Sequence, residues 1–296
     1  MKGVVSVKQA IAMDIIENVK RSIIQHGPHN NRIYLMRLNT GDTKGLIAIL
    51  DEMALKKGYG KIFAKIPAPE WHAFKSADYI KEAVVPGFFT GKTDGFFVAK
   101  YFSAQRQKAP NVENLLHPVK QSGEGSLNTI HRTGRATRDV VSCKPSDAAD
   151  MSVIYQEVFK SYPFPIQKPT YLKRMMKDGV LYFCIRIEGR IAAIAAAEID
   201  LASKNVEMTD FATLPKWRGK GLAGMLLSHM DMKACELGLE TAYTIARAAS
   251  QGMNSVFQNN GYNYAGLLKN NSQICGSIQS MTVWYKHLNR SYLKSA

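Results

Sequence analysis

The stretch that most restricts what this chain can become runs from residue 206 to 238: VEMTDFATLP, then KWRGKGLAG, then MLLSHMDMKACELG. Val206, Met208, Phe211, Ala212 and Leu214 predict a buried strand, ended by Pro215. Leu222, Met225, Leu226, His229, Met230, Lys233, Ala234 and Leu237 recur at helical spacing, and Gly238 supplies a stop. The glycine-containing turn 218–224 joins the two. N–H groups at a helix start lack partners, the helix dipole is positive there, and glycine admits a close approach. Such a unit is suited to holding a phosphate. It is neither a P-loop, since GxxxxGK[ST] is absent, nor the GxGxxG dinucleotide pattern. The plainer alternative is a βα turn that binds nothing.

At 296 residues, two units of roughly 150 are more natural than one. With 46% hydrophobic and 21% charged residues, the chain can bury ordinary cores. No apolar run nears the ~20 residues of a membrane span. Asp14, Glu17 and Lys20 interrupt the N-terminal segment, which does not read as a signal peptide. Cys143, Cys184, Cys235 and Cys275 lie far apart without a CxxC pair, as expected for thiols of a cytoplasmic protein without disulfides or zinc. A net charge of +15 raises nucleic acid as a partner, but the surplus is spread over both halves without long basic runs. Nucleic acid is therefore not expected, and part of the charge could attract an anionic cofactor. The seven histidines are scattered without metal-ligand spacing, so no metal is expected.

Residues 1–30 read as an arm or helix leading to a turn at 26–30. Residues 31–102 read as a small α/β domain: strand 32–38, helix 43–57 capped by Asp42 or Thr43, strand 61–66, helix 71–84 and strand 95–102. Residues 103–136, with Gln, Ser, Gly, Asn and Pro and little periodicity, read as a linker with helical turns near 112–116. The second domain, 137–290, opens with strand 140–144, helix 145–160, a rigid aromatic loop 161–165, short helix 168–177 and a hairpin around Glu188 and Gly189. After the central stretch come strand 241–246, a short helix near 254–259, and strands near 264–268 and 280–287.

The spacing Arg218-x-x-Gly221-x-Ala223, with the closing Asn259-Asn260-Gly261-Tyr262, resembles the pyrophosphate loop of the GNAT superfamily of CoA-dependent N-acetyltransferases. The order β-α-α-β-β-β-α-β-α-β-β in 137–290 agrees with that fold. The resemblance implies a mixed, mostly antiparallel central sheet with flanking helices, here preceded by a smaller α/β domain. IYLMRL (33–38), GYGKIFAKIP (58–67), EAVVPGFFTGKTDGFFVAKYF (82–102), EMTDFATLPKWRGKGLA (207–223) and NNSQICGSIQSMTVWYK (270–286) resemble the β-lysine N-acetyltransferases more narrowly, and in both halves of the chain. This implies transfer of acetyl from acetyl-CoA to the side-chain amine of β-lysine, giving Nε-acetyl-β-lysine, a compatible solute. The implied partner is a small-molecule amine, and a homodimer is left open.

In that superfamily the strand before the loop pairs with pantetheine through its backbone, which implies Phe211, Ala212 and Thr213. The loop takes the pyrophosphate, which implies Arg218, Gly219, Lys220, Gly221, Leu222, Ala223 and Gly224. An ammonium must lose a proton before it attacks. Glu207 lies six residues before Thr213, where several GNAT enzymes carry their general base, and a carboxylate in an apolar strand is disposed to accept a proton. Asp210 could do the same or hold the charged end of the substrate. For both, local pairing with Lys or Arg is the plainer reading. Phe257 stands where many GNAT enzymes place a tyrosine acid, four residues before Gly261. Either the thiolate leaves without one, or Tyr243, Tyr262 or Tyr264 substitutes. Asn254 is a candidate contact to pantetheine or a water, or simply a helix-start residue. A substrate carboxylate suits an arginine fork, with Arg247 as one candidate. Asn270 and Asn271 read equally as substrate contacts and turn formers.

Two other readings stay open: a GNAT enzyme acting on another small amine or a protein amine, and a catalytically silent acyl-CoA-binding module. Phe257 favours the silent module; the intact loop with Glu207 and Asp210 opposes it. The N-terminal unit has no catalytic constellation of its own. It reads as a degenerate relative of the same fold, covering the acceptor pocket or making a dimer.

Overall fold

The computed structural model describes residues 13–108 and 139–288. The first half runs β1 (Ile15–Val19), β2 (Ser22–Gly27), β3 (Arg32–Arg37), α1 (Thr43–Lys57), β4 (Lys61–Pro67), α2 (Trp71–Lys75), β5 (Ile80–Phe89), β6 (Thr93–Tyr101) and α3 (Ala104–Gln107). The second runs β7 (Val140–Ser142), α4 (Ala148–Val158), α5 (Pro169–Lys177), β8 (Leu181–Ile187), β9 (Arg190–Asp200), β10 (Asn205–Thr213), α6 (Leu222–Glu236), β11 (Thr241–Arg247), α7 (Gln251–Asn259), β12 (Asn263–Ile274) and β13 (Ser277–His287). Among the described residues these strands form one 13-stranded sheet, ordered β1-β2-β3-β4-β6-β5-β12-β13-β11-β10-β9-β8-β7. It is antiparallel except at β3/β4 and β10/β11.

The order contains a repeat. β2 and β3 are antiparallel, α1 carries β3 to a parallel β4, and β4 pairs with β6 of the β5–β6 hairpin. In the same sense β9 and β10 are antiparallel, α6 carries β10 to a parallel β11, and β11 pairs with β13 of the β12–β13 hairpin. The two halves meet at β5 and β12, joined in register by the single pair Gly266↔Ala83. A Cβ on Gly266 would collide with the Glu82 carbonyl and Ala83, so only glycine closes this seam. Beside it Lys61 Nζ donates to Glu82 Oε2 (2.7 Å) and to the Lys269 carbonyl (2.8 Å), with both side chains fully buried.

Strand alternation decides which residues reach which face. Ile33 and Leu35 of β3 and Ile62, Ala64 and Ile66 of β4 pack beneath Leu46 and Leu50 of α1. Val206 and Met208 of β10 likewise pack beneath Leu226, Leu227 and Met230 of α6. The intervening residues point to the other face. There Tyr34, Phe63 and Phe97 of the first half share one cluster with Tyr155, Tyr182 and Tyr243 of the second. That shared face holds the site.

Three expectations are corrected. Residues 15–27 are not an arm or helix: they form the β1–β2 hairpin, turned at Lys20 with φ 52°, and β2 is buried. Residues 1–12 lie outside the described residues, as do the linker from 109 and its turns near 112–116. The helix expected over 71–84 stops at Lys75. Asp78, with φ 64°, turns the chain into β5, where Ala83 and Val85 alternate inward. Asn270 and Asn271 are not in a turn; they lie within β12, where the register shifts between Leu268 and Ser272.

Candidate active site

β10 and β11 pair only over Asn205–Glu207 and Thr241–Tyr243, and then part. Beyond that point β10 keeps β9 on one edge and carries a bulge between Thr209 and Ala212. Asp210 sits in the bulge with φ 54°, a strained conformation for a residue with a Cβ, and the bulge re-aims its side chain. A cavity of about 200 Å³ opens here, lined by both halves. Arg32, Tyr34, Phe63 and Lys65 come from β3 and β4; Glu198, Glu207 and Asp210 come from β9 and β10.

Three carboxylates therefore face one space. Tyr162, from the aromatic loop after α4, donates to Asp210 Oδ1 at 2.6 Å. Burial raises the Asp210 carboxyl to about 6, with a further push from Glu207 that the Tyr162 hydrogen bond partly offsets. Glu198 is exposed along the cavity wall yet ringed by protein. That surrounding, with the charges of Glu207 and Asp210, raises its carboxyl to about 8. Glu207 Oε2 accepts from Tyr243 OH at 2.8 Å, and Tyr243 OH accepts from Lys65 Nζ at 2.8 Å. Lys65 Nζ lies 3.8 Å from Glu207 Oε2. Burial disfavours the Lys65 ammonium, but Tyr243, Tyr34 and Glu207 outweigh it and hold it protonated. Burial also raises the Tyr34 and Tyr243 hydroxyls and keeps them protonated.

At the end of β10, Gly219 (φ 71°) and Gly221 (φ 78°) turn the chain into α6. Gly221 is the N-cap and offers no side chain, so the first N–H groups of α6 have no capping side chain among the described residues. A Cβ at either glycine would meet open space, so positive φ, not crowding, selects glycine. The pyrophosphate of acetyl-CoA fits this cradle: Gly219, Lys220, Gly221, Leu222, Ala223 and Gly224 could hold it. Arg218 differs from expectation, because its N–H is spent on the Pro215 carbonyl (3.2 Å) and its Nε on Thr213 O (3.2 Å). Phe211, Ala212 and Thr213 lie past the parting of the strands. Their edge toward β11 carries no ladder bonds and can pair with an extended ligand.

Asn254 does not reach the cavity. It is buried, its Nδ2 donates to the carbonyls of Arg247, Ala248 and Ser250, and its Oδ1 accepts from Thr282 and Trp284. Its helix-start role stands, and no polar atom is left for pantetheine or water. Asn270 is likewise used internally, donating to the Arg106 and Lys108 carbonyls. Asn271, Arg247 and Phe257 do line the cavity. Phe257 packs edge-on against Phe211 with ring centroids 5.6 Å apart. Of the three substitute tyrosines, Tyr262 donates to Asp231 in the α6 core and Tyr264 packs on Trp284; Tyr243 alone joins the carboxylates. Sequence reasoning missed Arg32, Lys65, Tyr162 and Glu198.

The family model for the acetyltransferase (GNAT) family matches residues 149–262. A β-lysine N(6)-acetyltransferase of Methanococcus maripaludis is 35% identical over 277 residues, covering 93% of this chain and 99% of that protein. The chain belongs to the GNAT acetyltransferase family. It is an acetyl-CoA-dependent N-acetyltransferase with the GNAT fold. The N-acetyltransferase YodP of Bacillus subtilis is 26% identical, covering 93% of this chain and all of that protein (100%). A second β-lysine N(6)-acetyltransferase, from Methanosarcina mazei, is 26% identical over 84% of this chain and 98% of its own. The likeness spans both halves of this GNAT chain, although the family model covers the second alone.

Proposed function

We propose that this enzyme moves the acetyl group of acetyl-CoA to the side-chain amine of β-lysine, giving Nε-acetyl-β-lysine, a compatible solute of the cytoplasm. One observation supports the acceptor class most directly. Three carboxylates, Glu198, Glu207 and Asp210, line a cavity where β10 parts from β11. An amine entering there finds anions for its charge and a proton acceptor. In the reaction a C–N bond forms and the thioester C–S bond breaks. The ammonium gives up two protons, one of them accounted for on the released thiol and one passing to solvent.

Asp210 is the carboxylate better suited to take the first proton. Asp210 and Glu207 each keep one oxygen without a hydrogen bond among the described residues, but Glu207 also faces the Lys65 ammonium, whereas burial raises the proton affinity of Asp210. Glu207 then acts by attracting and orienting the amine. On this reading residues 31–102 form the unit that closes the acceptor side, 103–136 the linker, and 137–290 the acetyltransferase unit.

The test is acetyl-CoA turnover, followed by thiol release, with β-lysine, α-lysine, ornithine and spermidine offered separately. Strong preference for β-lysine is expected. Preference for spermidine or α-lysine sinks the acceptor assignment. Acetyl-CoA binding without turnover on any amine would instead favour the silent module.

A further inference from the structure

We infer that Arg32 and Asn271 form a head-group subsite that grips the carboxylate and the neighbouring ammonium of an amino-acid acceptor. This rests on the amine-acetylating reading above and adds which end of the acceptor lies where. Arg32 opens β3, is 3% exposed and lines the cavity. Its Nη1 donates to the Asn271 carbonyl (2.6 Å) and to Ser272 Oγ (3.0 Å), while its Nε is buried with no acceptor. No carboxylate lies within ion-pair distance among the described residues. The guanidinium instead lies over the Tyr34 and Phe63 rings, at 5.2 and 5.8 Å from their centroids.

A buried cation without a counter-ion is costly to keep, and costly groups that face a cavity await a ligand. Burial lowers Arg32 to about 10, which still leaves it charged at neutral pH. Its planar fork matches a carboxylate, and the two rings hold the plane fixed. The neighbouring Asn271 side chain is 1% exposed, and its Oδ1 is buried with no donor. An acceptor with both an anion and an N–H donor close together satisfies both orphans at once. That is the head of an amino acid. Glu198, Glu207 and Asp210, on β9 and β10, line the same cavity and take the far amine. A carboxylate held at Arg32 leaves the amine distant from it for acetylation. Arg247, the fork suggested by sequence, also lines the cavity but is only half-buried, so water can satisfy it without a ligand.

The test compares β-lysine with the diamine that lacks only its carboxylate, on the full chain at saturating acetyl-CoA. In the wild type, loss of the carboxylate should lower kcat/KM on the order of 100-fold, through KM. Arg32→Gln should lower kcat/KM for β-lysine by the same factor and leave the diamine unchanged, and Arg32→Lys should recover part of it. β-Lysine without acetyl-CoA should raise the wild-type unfolding temperature, and Arg32→Gln should abolish that rise. A wild type that does not distinguish the two acceptors overturns the subsite, whether or not the variant folds. So does an equal loss on both acceptors in Arg32→Gln, or discrimination lost in Arg247→Gln and kept in Arg32→Gln. Transfer to a different carboxylate-bearing amine, with the same Arg32 dependence, supports the subsite while sinking β-lysine as the substrate.

Discussion

The two halves of the sheet share one connectivity but begin their crossover helices on different N-cap residues. Between β10 and α6 two glycines with positive φ and no capping side chain leave N–H groups open. Between β3 and α1 the N-cap is Asp42, which makes no cap hydrogen bond of its own but carries a carboxylate. Asn39 accepts from the Gly41 N–H, and Asp42, at the helix start, is gripped by Arg21 through two hydrogen bonds of 3.0 and 2.8 Å. The first half places a carboxylate, held by Arg21, at the N-cap position where the second has Gly221. Topology alone therefore does not decide what stands at the helix start; the turn residues do.

The comparison extends to the first parallel pair in each half. Asn205 and Thr241 face each other in β10/β11, and Arg32 and Lys61 face each other in β3/β4. Asn205 and Thr241 donate to the carbonyls of Phe88 and Gly87, in the hairpin of the other half. Arg32 and Lys61 donate to the carbonyls of Asn271 and Lys269, again in the opposite hairpin. Each half is clasped by the other at equivalent positions, neutral in one and cationic in the other. Of the cationic pair, Lys61 is matched by Glu82, while Arg32 lines the cavity.

Removing the carboxylate that distinguishes the catalytic half should have the largest effect. Asp210→Asn should lower kcat by about 10²–10⁴, the range for a lost general base. In the wild type kcat/KM should fall below pH about 6, where Asp210 becomes protonated. Glu198, Glu207, Lys65 and Tyr162 surround this group, so the limb should move with ionic state but be abolished only in Asp210→Asn. Stability has the opposite sign. The folded carboxyl binds its proton more tightly than the unfolded one, so its contribution is present below the ordinary 3.8 and lost as pH rises through about 6. Asp210→Asn should then be more resistant to urea at neutral pH while nearly inactive. An acid limb that survives in the variant would remove Asp210 from the role of base.

The clasp offers the next contrast. Lys61→Met leaves Glu82 buried beside Tyr101 and the Lys269 N–H with no cation, which should cost about 3–5 kcal/mol. Thr241→Val at the equivalent position frees only the Gly87 carbonyl and should cost about 1–2 kcal/mol. Urea unfolding midpoints measure both. Equal losses would mean that the charged clasp holds the halves together no more strongly than the neutral one.

Much of the second half was legible because its signals are local. The strand, Gly221 and the periodic helix sit within one short stretch, and turn chemistry needs no distant partner. The acceptor side was not legible. Arg32 and Lys65 meet Glu207 and Asn271 across more than 140 residues of sequence, and nothing near Arg32 says what lies opposite. Alternation of Arg32, Tyr34 and Met36 with Ile33 and Leu35 marks a two-faced strand, but the polar face reads as solvent until the second half covers it. Asn254 failed for the same reason in reverse. Its partners Thr282 and Trp284 come from β13, and they convert a plausible ligand contact into a buried structural amide. The helix expected over 71–84 fails because residues 80–84 pair with β6, and tertiary pairing favours a strand there.

The smallest effect should come from the glycines that begin each crossover. Gly221→Ala places a Cβ on a residue with φ 78°, a strain of roughly 1–2 kcal/mol, although the space around it is open. The chain can relieve that strain only by rotating the turn, which swings the first N–H groups of α6 away from their common focus. KM for acetyl-CoA should rise about tenfold, the equivalent of ~1.4 kcal/mol, with kcat changing less. Gly41→Ala in the first half has neither consequence. Gly41 is not among the positive-φ residues, and the new Cβ would meet only side-chain atoms, Arg21 Nη2 at 3.1 Å and Asn39 Oδ1 at 3.3 Å. Its KM for acetyl-CoA should match the wild type, with stability within about 0.5 kcal/mol. A matching rise in both variants would show that the two turns are coupled through the sheet, and that the Asp42 junction of the first half helps to shape the Gly221 junction of the second.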